Sequence, residues 1–362
     1  MRALLPYLAA LGLSIALLVA AALGGRPWDL AALGWITVVV AILDHVLPEH
    51  GPAPGQRLAR AMPVALGLAH PPLLALCVWA LARGGAGVGG PALLLAAALF
   101  FGQVMNSCAH ELIHARSRAA RTLGRWIYVT LLFGHHASAH PGVHHVHVAT
   151  PGDPNTARRG ESWWRFAPRA WRGSFRAGLA LEIRRQRAAG RRGWDLRNPY
   201  WQYLLGGGAC VALAGATLGW AGIAAHSGIC VLAQAQLLMT DYVQHYGLRR
   251  ARRGDGWEPV GPAHAWNAPH PVSNLLTLHA PRHSAHHVRP GLGFEALTIA
   301  DGAPRLPRSL PVMATLALWP AGWRRAMHPR LDALKGGLDL ARTAGDAAPQ
   351  GDPACGRSPS SA

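Results

Sequence analysis

The sequence predicts an all-α integral membrane protein in which six transmembrane helices carry a histidine-rich cytoplasmic cap. Three observations predict it. Of the 362 residues, 51% are hydrophobic and only 14% are charged, whereas an ordinary soluble domain carries about 25% charged residues. The apolar residues gather into runs of about 20, the length that crosses a bilayer. The cations, 35 Lys and Arg against 17 Asp and Glu for a formal charge of +18, fall in blocks between those runs.

The runs come in order along the chain at Leu4–Leu23, Leu30–Leu47, Val64–Ala82, Pro91–Cys108, Tyr200–Trp220 and, approximately, Ile223–Val243. Pro71-Pro72 weakens the third. The first is expected to be an uncleaved helix and not a signal peptide, because no A-x-A site precedes a soluble domain. Loops on the cytoplasmic side collect Lys and Arg. The turns near Gly25, Gly84 and Gly222 carry Arg26, Arg83 and no cation. Arg2, Arg57, Arg60, the stretch from Arg116 to Arg197 and everything after Arg249 lie on the other side. Both termini are therefore expected in the cytoplasm of a bacterial inner membrane. The arginine-rich surface reads as a solvated, lipid-facing cap and not as a nucleic-acid site. Residues 1–342 are expected to form one membrane domain and residues 343–362, rich in Gly, Pro, Ser and Asp, a disordered tail. Five scattered cysteines without a C-x-x-C pair exclude a disulfide scaffold, a zinc ribbon and a fused rubredoxin domain.

The histidines carry the chemistry. Of 20, eight fall between His110 and His147 and seven between His245 and His287, on one predicted side of the membrane. His110-Glu111-Leu112-Ile113-His114 places two imidazoles on one helix face, at i and i+4. The same H-E-x-x-H string is the zincin signature, a reading that leaves the other histidines unexplained. His140-Pro141-Gly142-Val143-His144-His145 and His283-Ser284-Ala285-His286-His287 each offer imidazoles a turn apart plus an adjacent one, so that neighbouring rings can address neighbouring ions. His245 ends the sixth run. Nine imidazoles are too many for one ion and imply two, and imidazole suits Fe, Zn, Cu or Ni.

Taken together, the boxes His110–His114, His140–His145, Gln244–Gly247 and Arg282–His287 resemble those of the integral-membrane alkane 1-monooxygenase family. Its relatives are the xylene-type side-chain hydroxylases and, more distantly, the membrane fatty-acid desaturases. Connecting text is similar too: Val148-Ala149-Thr150-Pro151, Asp153-Pro154, Gly160-Glu161-Ser162, Trp266-Asn267, Val272-Ser273-Asn274-Leu275 and the stretch around Trp323-Arg324-Arg325. The resemblance spans roughly Leu43 to Leu331. It implies a non-haem diiron monooxygenase that uses O₂ and two electrons to convert a medium-chain alkane or alkyl side chain to its primary alcohol. The implied iron ligands are His110, His114, His140, His144, His145, His245, His283, His286 and His287. The implied partners are a rubredoxin or ferredoxin with its reductase, the hydrophobic substrate and membrane lipid, without nucleic acid.

This sequence departs from the family pattern at Ala139, Val143 and Gln244, where Glu, Gly and Glu are usual. Outside the nine, Glu111 is expected to orient a ligand ring by a hydrogen bond, and His264, Asn267 and His270 to support the ligands or gate the substrate. Trp35 is expected to limit substrate length. Asp44 and His70, ionisable groups in or near spans, are functional candidates by default, although Asp44 also fits a cap on its own helix. A desaturase is the rival within the class and is disfavoured by the H-x-x-x-H-H spacing. A metal transporter is the rival outside it, disfavoured because the histidines cluster at span ends instead of lining a path.

Overall fold

The computed structural model describes residues 5–49, 56–84 and 90–346. Helices α1 (Leu5–Gly24), α2 (Trp28–Val46), α3 (Gln56–Gly84) and α4 (Gly90–His114) form the first part of a bundle. Then come α5 (Arg118–Thr130), the helical stretch α6 (residues 136–147), α7 (Trp163–Ala188) and α8 (Tyr200–His245). The rest comprises a two-residue hairpin, β1 (Arg252–Arg253) with β2 (Gly256–Trp257), and the helices α9 (Pro271–Leu276), α10 (His283–Val288), α11 (Leu310–Ala317) and α12 (Pro320–Asp346). Five of these helices are long and apolar enough to cross a membrane: α1, α2, α3, α4 and α8. Exposed Leu8, Val38, Ile42, Leu68 and Leu213 cover the outside of the bundle, apolar surface suited to lipid.

α4 is the central helix. Of its apolar window 72% is buried, against 39% or less for the other four, and it packs on α1, α2, α3 and α8. Close approach to α8 depends on Gly102, where a Cβ would stand 2.7 Å from Gln236 Cβ and 2.9 Å from the Ala233 carbonyl. α3 runs through Pro63, Pro71 and Pro72, so the proline pair does not end the third span. Neighbouring helices make such breaks tolerable in lipid. α12 carries residues 343–346 as helix. The remainder of the expected tail lies outside the described residues, as do His50 and Cys355.

Spans five and six of the sequence reading are one unbroken run in α8, except at Gly219 (φ 65°, ψ −156°). The two halves lie side by side. Gly206 and Gly207 pack on Val129 and Leu132, while beyond the break His226 Nε2–H donates to the Thr130 carbonyl (2.8 Å). His70 reaches the same residue, donating Nε2–H to Thr130 Oγ1 (2.7 Å), whose own proton goes to the Ile127 carbonyl (2.8 Å). These two histidines thus bracket Thr130 and tie α3 and α8 to α5. That accounts for His70, which has no place among the metal-binding histidines.

Asp44 does not cap its own helix either. Its Oδ1 accepts from the Val272 and Ser273 N–H groups (2.8 and 2.9 Å), satisfying the orphan donors at the start of α9 from across the bundle. A second clasp joins α1 to the same region. His279 Nδ1–H donates to the Phe294 carbonyl (3.0 Å), so its Nε2 accepts from Tyr7 O–H (2.6 Å).

Two predictions follow from these contacts. Gly219→Ala forces a Cβ into a backbone region essentially reserved for glycine, at a cost of about 1–3 kcal/mol. Nothing lies within 4 Å of that Cβ, so the loss is pure backbone strain; an unchanged Tm in detergent would refute it. Burial, reinforced by Arg282, pushes the His279 pKa down to about 4. The unfolded ring titrates near 6.5 and therefore binds a proton first. Its contribution is complete above about pH 6.5 and is lost as pH falls towards 4. His279→Phe should flatten the pH dependence of Tm across that window.

Candidate metal centre

The centre sits at the polar end of the bundle, and each ligand position follows from local helix geometry. His110 and His114 are one turn apart in α4, behind the π-helical turn Phe100–Met105. His140–His144 is a second π-helical turn, in which Pro141 has no N–H to give to a regular helix. His283, His286 and His287 occupy α10, and His245 is the last residue of α8.

The nine rings divide into two groups. His110, His114, His140, His145 and His286 form one; His144, His245, His283 and His287 form the other. Within each group one nitrogen per ring lies within 4.8 Å of every other. Consecutive helical residues point about 100° apart. The pairs His144-His145 and His286-His287 accordingly send one ring to each group.

The contacts inside the groups are not satisfiable as hydrogen bonds. His110 Nε2 lies 2.8 Å from His140 Nε2, which lies 3.0 Å from His145 Nε2, which in turn lies 3.0 Å from His286 Nε2. His283 Nε2 faces both His245 and His287 at 3.0 Å. A neutral imidazole nitrogen offers either one lone pair or one N–H, so His140 and His283 cannot serve two partners each. Buried His114 Nε2 and His144 Nε2 have no partner at all. A metal–imidazole bond is about 2.1 Å, and two such ligands at right angles lie about 3 Å apart. The observed spacing therefore fits lone pairs converging on an ion, and the donor sets suit iron among the imidazole-binding metals. Burial, then the adjacent rings, holds His140, His145, His283, His286 and His287 well below the ordinary pKa of histidine. They stay neutral with lone pairs available.

His144 is different. Burial pulls its pKa down, but the Asp153 carboxylate reverses this and leaves it raised. Asp153 Oδ2 accepts from His144 Nδ1–H (2.8 Å) and from Thr156 Oγ1 (2.6 Å), and Oδ1 accepts from the Asn155 N–H (3.0 Å). The field that favours a proton on this ring equally favours a cation at its Nε2. Buried Asp241, one turn before His245, accepts from Asn155 Nδ2 (2.5 Å) and adds a second carboxylate on this side. Sequence reasoning missed both; the one trace of them was Asp153-Pro154 in the text resembling the family.

The remaining expected site residues are scattered. Glu111 Oε1 accepts from the Phe294 N–H (3.2 Å) and reaches no ligand ring among the described hydrogen bonds. As the helix neighbour of His110 it points off the ligand face. His264 accepts from the Gly261 N–H (2.9 Å) and donates to Glu258 (3.1 Å), stabilising its own loop. His270 joins neither group, and its Nδ1 is buried without a partner. Asn267 does reach α10. Its Nδ2 donates to Ser284 Oγ (2.6 Å) and its Oδ1 accepts from the Ser284 N–H (3.0 Å), next to His283. Trp35 donates its indole N–H to Ser14 Oγ (2.8 Å), while its neighbours Ile36 and Thr37 line an apolar cleft of about 400 Å³ between α2, α4 and α8. His135 meets Ser174 Oγ (3.3 Å), and His136 is buried against Tyr128 and His140 without joining either group. Gln244, one of the departures, donates to the Ala280 carbonyl (3.2 Å); Ala139 and Val143 are buried beside the rings.

Asp153→Asn keeps an acceptor for His144 but removes the charge. It should weaken metal binding at one of the two groups by about 10 to 100-fold, read as metal retained per chain after a graded chelator challenge. Equal retention in variant and parent would remove Asp153 from the centre.

Comparison with known proteins agrees with this geometry. The model of the family described as fatty acid desaturase matches residues 86–316. Alkane 1-monooxygenase 2 of Pseudomonas aeruginosa is 31% identical over 331 residues, covering 88% of this chain and 87% of the relative. Alkane 1-monooxygenase 1 of the same organism is 32% identical over 83% and 81% of the two chains. The hydroxylase component of a xylene/toluene monooxygenase from Pseudomonas putida is 30% identical over 59% of this chain and 57% of its own. The chain belongs to the alkane 1-monooxygenase family of multi-pass membrane diiron oxygenases, within the wider fatty acid desaturase group.

Proposed function

We propose that this protein hydroxylates the terminal carbon of medium-chain alkanes or alkyl side chains to primary alcohols, using two iron ions, O₂ and two electrons from a separate rubredoxin or ferredoxin. The single observation that carries the reading is that residues close in sequence to the histidine groups line the apolar cleft. Ile36, Leu95, Leu99, Leu232 and Met239 line it, together with Ser107, Thr240 and Ala280. Ser107 and Ala280 each stand three residues before a ligand, His110 and His283, and Thr240 stands five before His245. An alkane lying in this cleft would point its end at the histidine groups.

The division of labour follows from the substrate. An alkane C–H bond has no polarity to bind and no acidic proton, so bound iron supplies the oxidising chemistry with O₂ and two electrons. The protein's own residues do the rest. The nine imidazoles would hold the ions, Asp153 fixes the His144 tautomer, and Asn267 anchors the start of α10. The leucines of the cleft select an apolar chain and exclude water.

The membrane placement belongs to the same proposal. α8 as a straight helix of 46 residues would measure about 69 Å, more than twice the hydrocarbon thickness of about 30 Å. Its break at Gly219 supports a reversal there, which would make it two spans, for six in all. The arginine-rich end then faces the cytoplasm of the inner membrane, where reduced carriers are available.

The test is a panel of linear alkanes of increasing length and alkyl-arenes, supplied with both rubredoxin and ferredoxin systems. Primary alcohols are expected, with about two Fe per chain. Leu99→Trp should shorten the longest chain accepted and leave the iron content unchanged, and His286→Ala should abolish turnover. Alkene products, or zinc retained without oxygen consumption, would overturn the proposal.

A further inference from the structure

A polar pocket of about 270 Å³ lies outside the cleft and outside both histidine groups. Thr150, Gly152, Asp153, Arg158, Arg169 and Arg249 bound it. Asp153 belongs both to this pocket and to the hydrogen bond on His144 (2.8 Å), so a surface feature and the four-histidine group share one residue. The pocket is built and not merely open. Arg169 is locked in its wall by Glu161 (2.7 and 2.9 Å) and by the Pro154 carbonyl (2.8 Å). The Arg250 N–H donates to the Ala149 carbonyl (2.9 Å) and holds the strand-like stretch from Arg249 beside it. Arg158 and Arg249 are exposed at its mouth, with Arg252 and Arg253 of β1 further along the same stretch. Val146, 53% exposed, and Pro151 supply apolar surface next to these cations.

We infer that this pocket is the docking socket for an acidic iron–sulfur carrier protein, and that electrons enter on the His144 side of the centre. The inference rests on the proposed oxygenase reading, which requires two electrons from outside the chain. In each encounter the reduced carrier would give up one electron to a metal ion that His144, His245, His283 and His287 would hold, and two encounters would supply a turnover. Charge complementarity favours an acidic partner. Arginines beside a small apolar patch, here Val146 and Pro151, suit a protein contact, and transient redox partners use small interfaces. A surface that only met anionic lipid headgroups would have no need of a wall residue shared with a metal ligand.

The experiment reverses charge at the socket and compares it with reversal elsewhere on the arginine-rich face. Arg158→Glu/Arg249→Glu is set against Arg184→Glu/Arg187→Glu, whose residues are exposed on α7. The full-length, metal-loaded protein is used in detergent, with an acidic rubredoxin and an acidic ferredoxin as probes. The socket pair should weaken carrier binding by about tenfold or more and flatten its salt dependence. It should slow reduction of the centre by the carrier, while reduction by dithionite and the KM for alkane stay unchanged. The control pair should change binding by less than about twofold. Arg158→Gln/Arg249→Gln should fall between parent and the Glu pair, which separates docking from misfolding.

Equal weakening by both pairs, or none by the socket pair, overturns the inference. So does a loss confined to binding of phosphatidylglycerol vesicles, which would assign the arginines to lipid. Because binding and reduction are read without turnover, a protein that oxidises no alkane but still loses its carrier on charge reversal would retain the socket and lose the substrate reading.

Discussion

Nine imidazole nitrogens directed at two points in a buried space form an arrangement that neutral histidines do not hold by themselves. His140 and His283 each face two other nitrogens at 2.8–3.0 Å, where one proton and one lone pair cannot satisfy both. A cation at each focus would turn that crowding into coordination, and metal binding would then be linked to folding of this end of the molecule. The surrounding architecture serves to keep the rings aimed. α4 and α8 bring His110, His114 and His245 together, the π-helical turn presents His140 and His144 with His145 just after it, and α10 presents the last three.

α10 is a short helix on a long irregular segment and would be a poor platform alone. It is held from several directions. Asn267 grips Ser284 by two hydrogen bonds, Asp44 caps α9 just before it, and Tyr7 and Phe294 fix His279. Residues from the first two helices thereby steady a loop 228 to 272 positions away. The first span is thus part of the site's support, beyond its contact with lipid.

The apolar helices were legible in the sequence because burial in lipid demands a distinctive composition, and the gathering of the histidines because i, i+4 imidazoles in repeated boxes are rarely accidental. What stayed hidden depends on contacts far apart in sequence. Asp44 lies in a span, and only the tertiary fold turns its carboxylate towards Val272. Glu111 sits inside a metal box, yet helix phase turns it to Phe294. His70 and His226 look like buried ionisable groups in search of a role until Thr130 is placed between them. Asp153 falls in a loop, where no periodicity shows which ring it meets. The 46-residue run of α8 is legible as an apolar stretch, while the break in its helical geometry at Gly219 is not, because a glycine in an apolar run gives no sign of its φ.

Among the described residues, the two adjacent pairs, His144-His145 and His286-His287, are where neighbouring peptide units serve different groups. Consecutive Cα atoms are tied 3.8 Å apart across a trans peptide. The spacing between the two histidine groups is therefore held by main-chain covalent geometry at two separate points and not by rotamers alone. Sequence drift around the centre, as at Ala139 and Gln244, can alter its charge and hydration while this double backbone bracket keeps its span. Related chains can diversify what the centre reacts with without having to rebuild its dimensions.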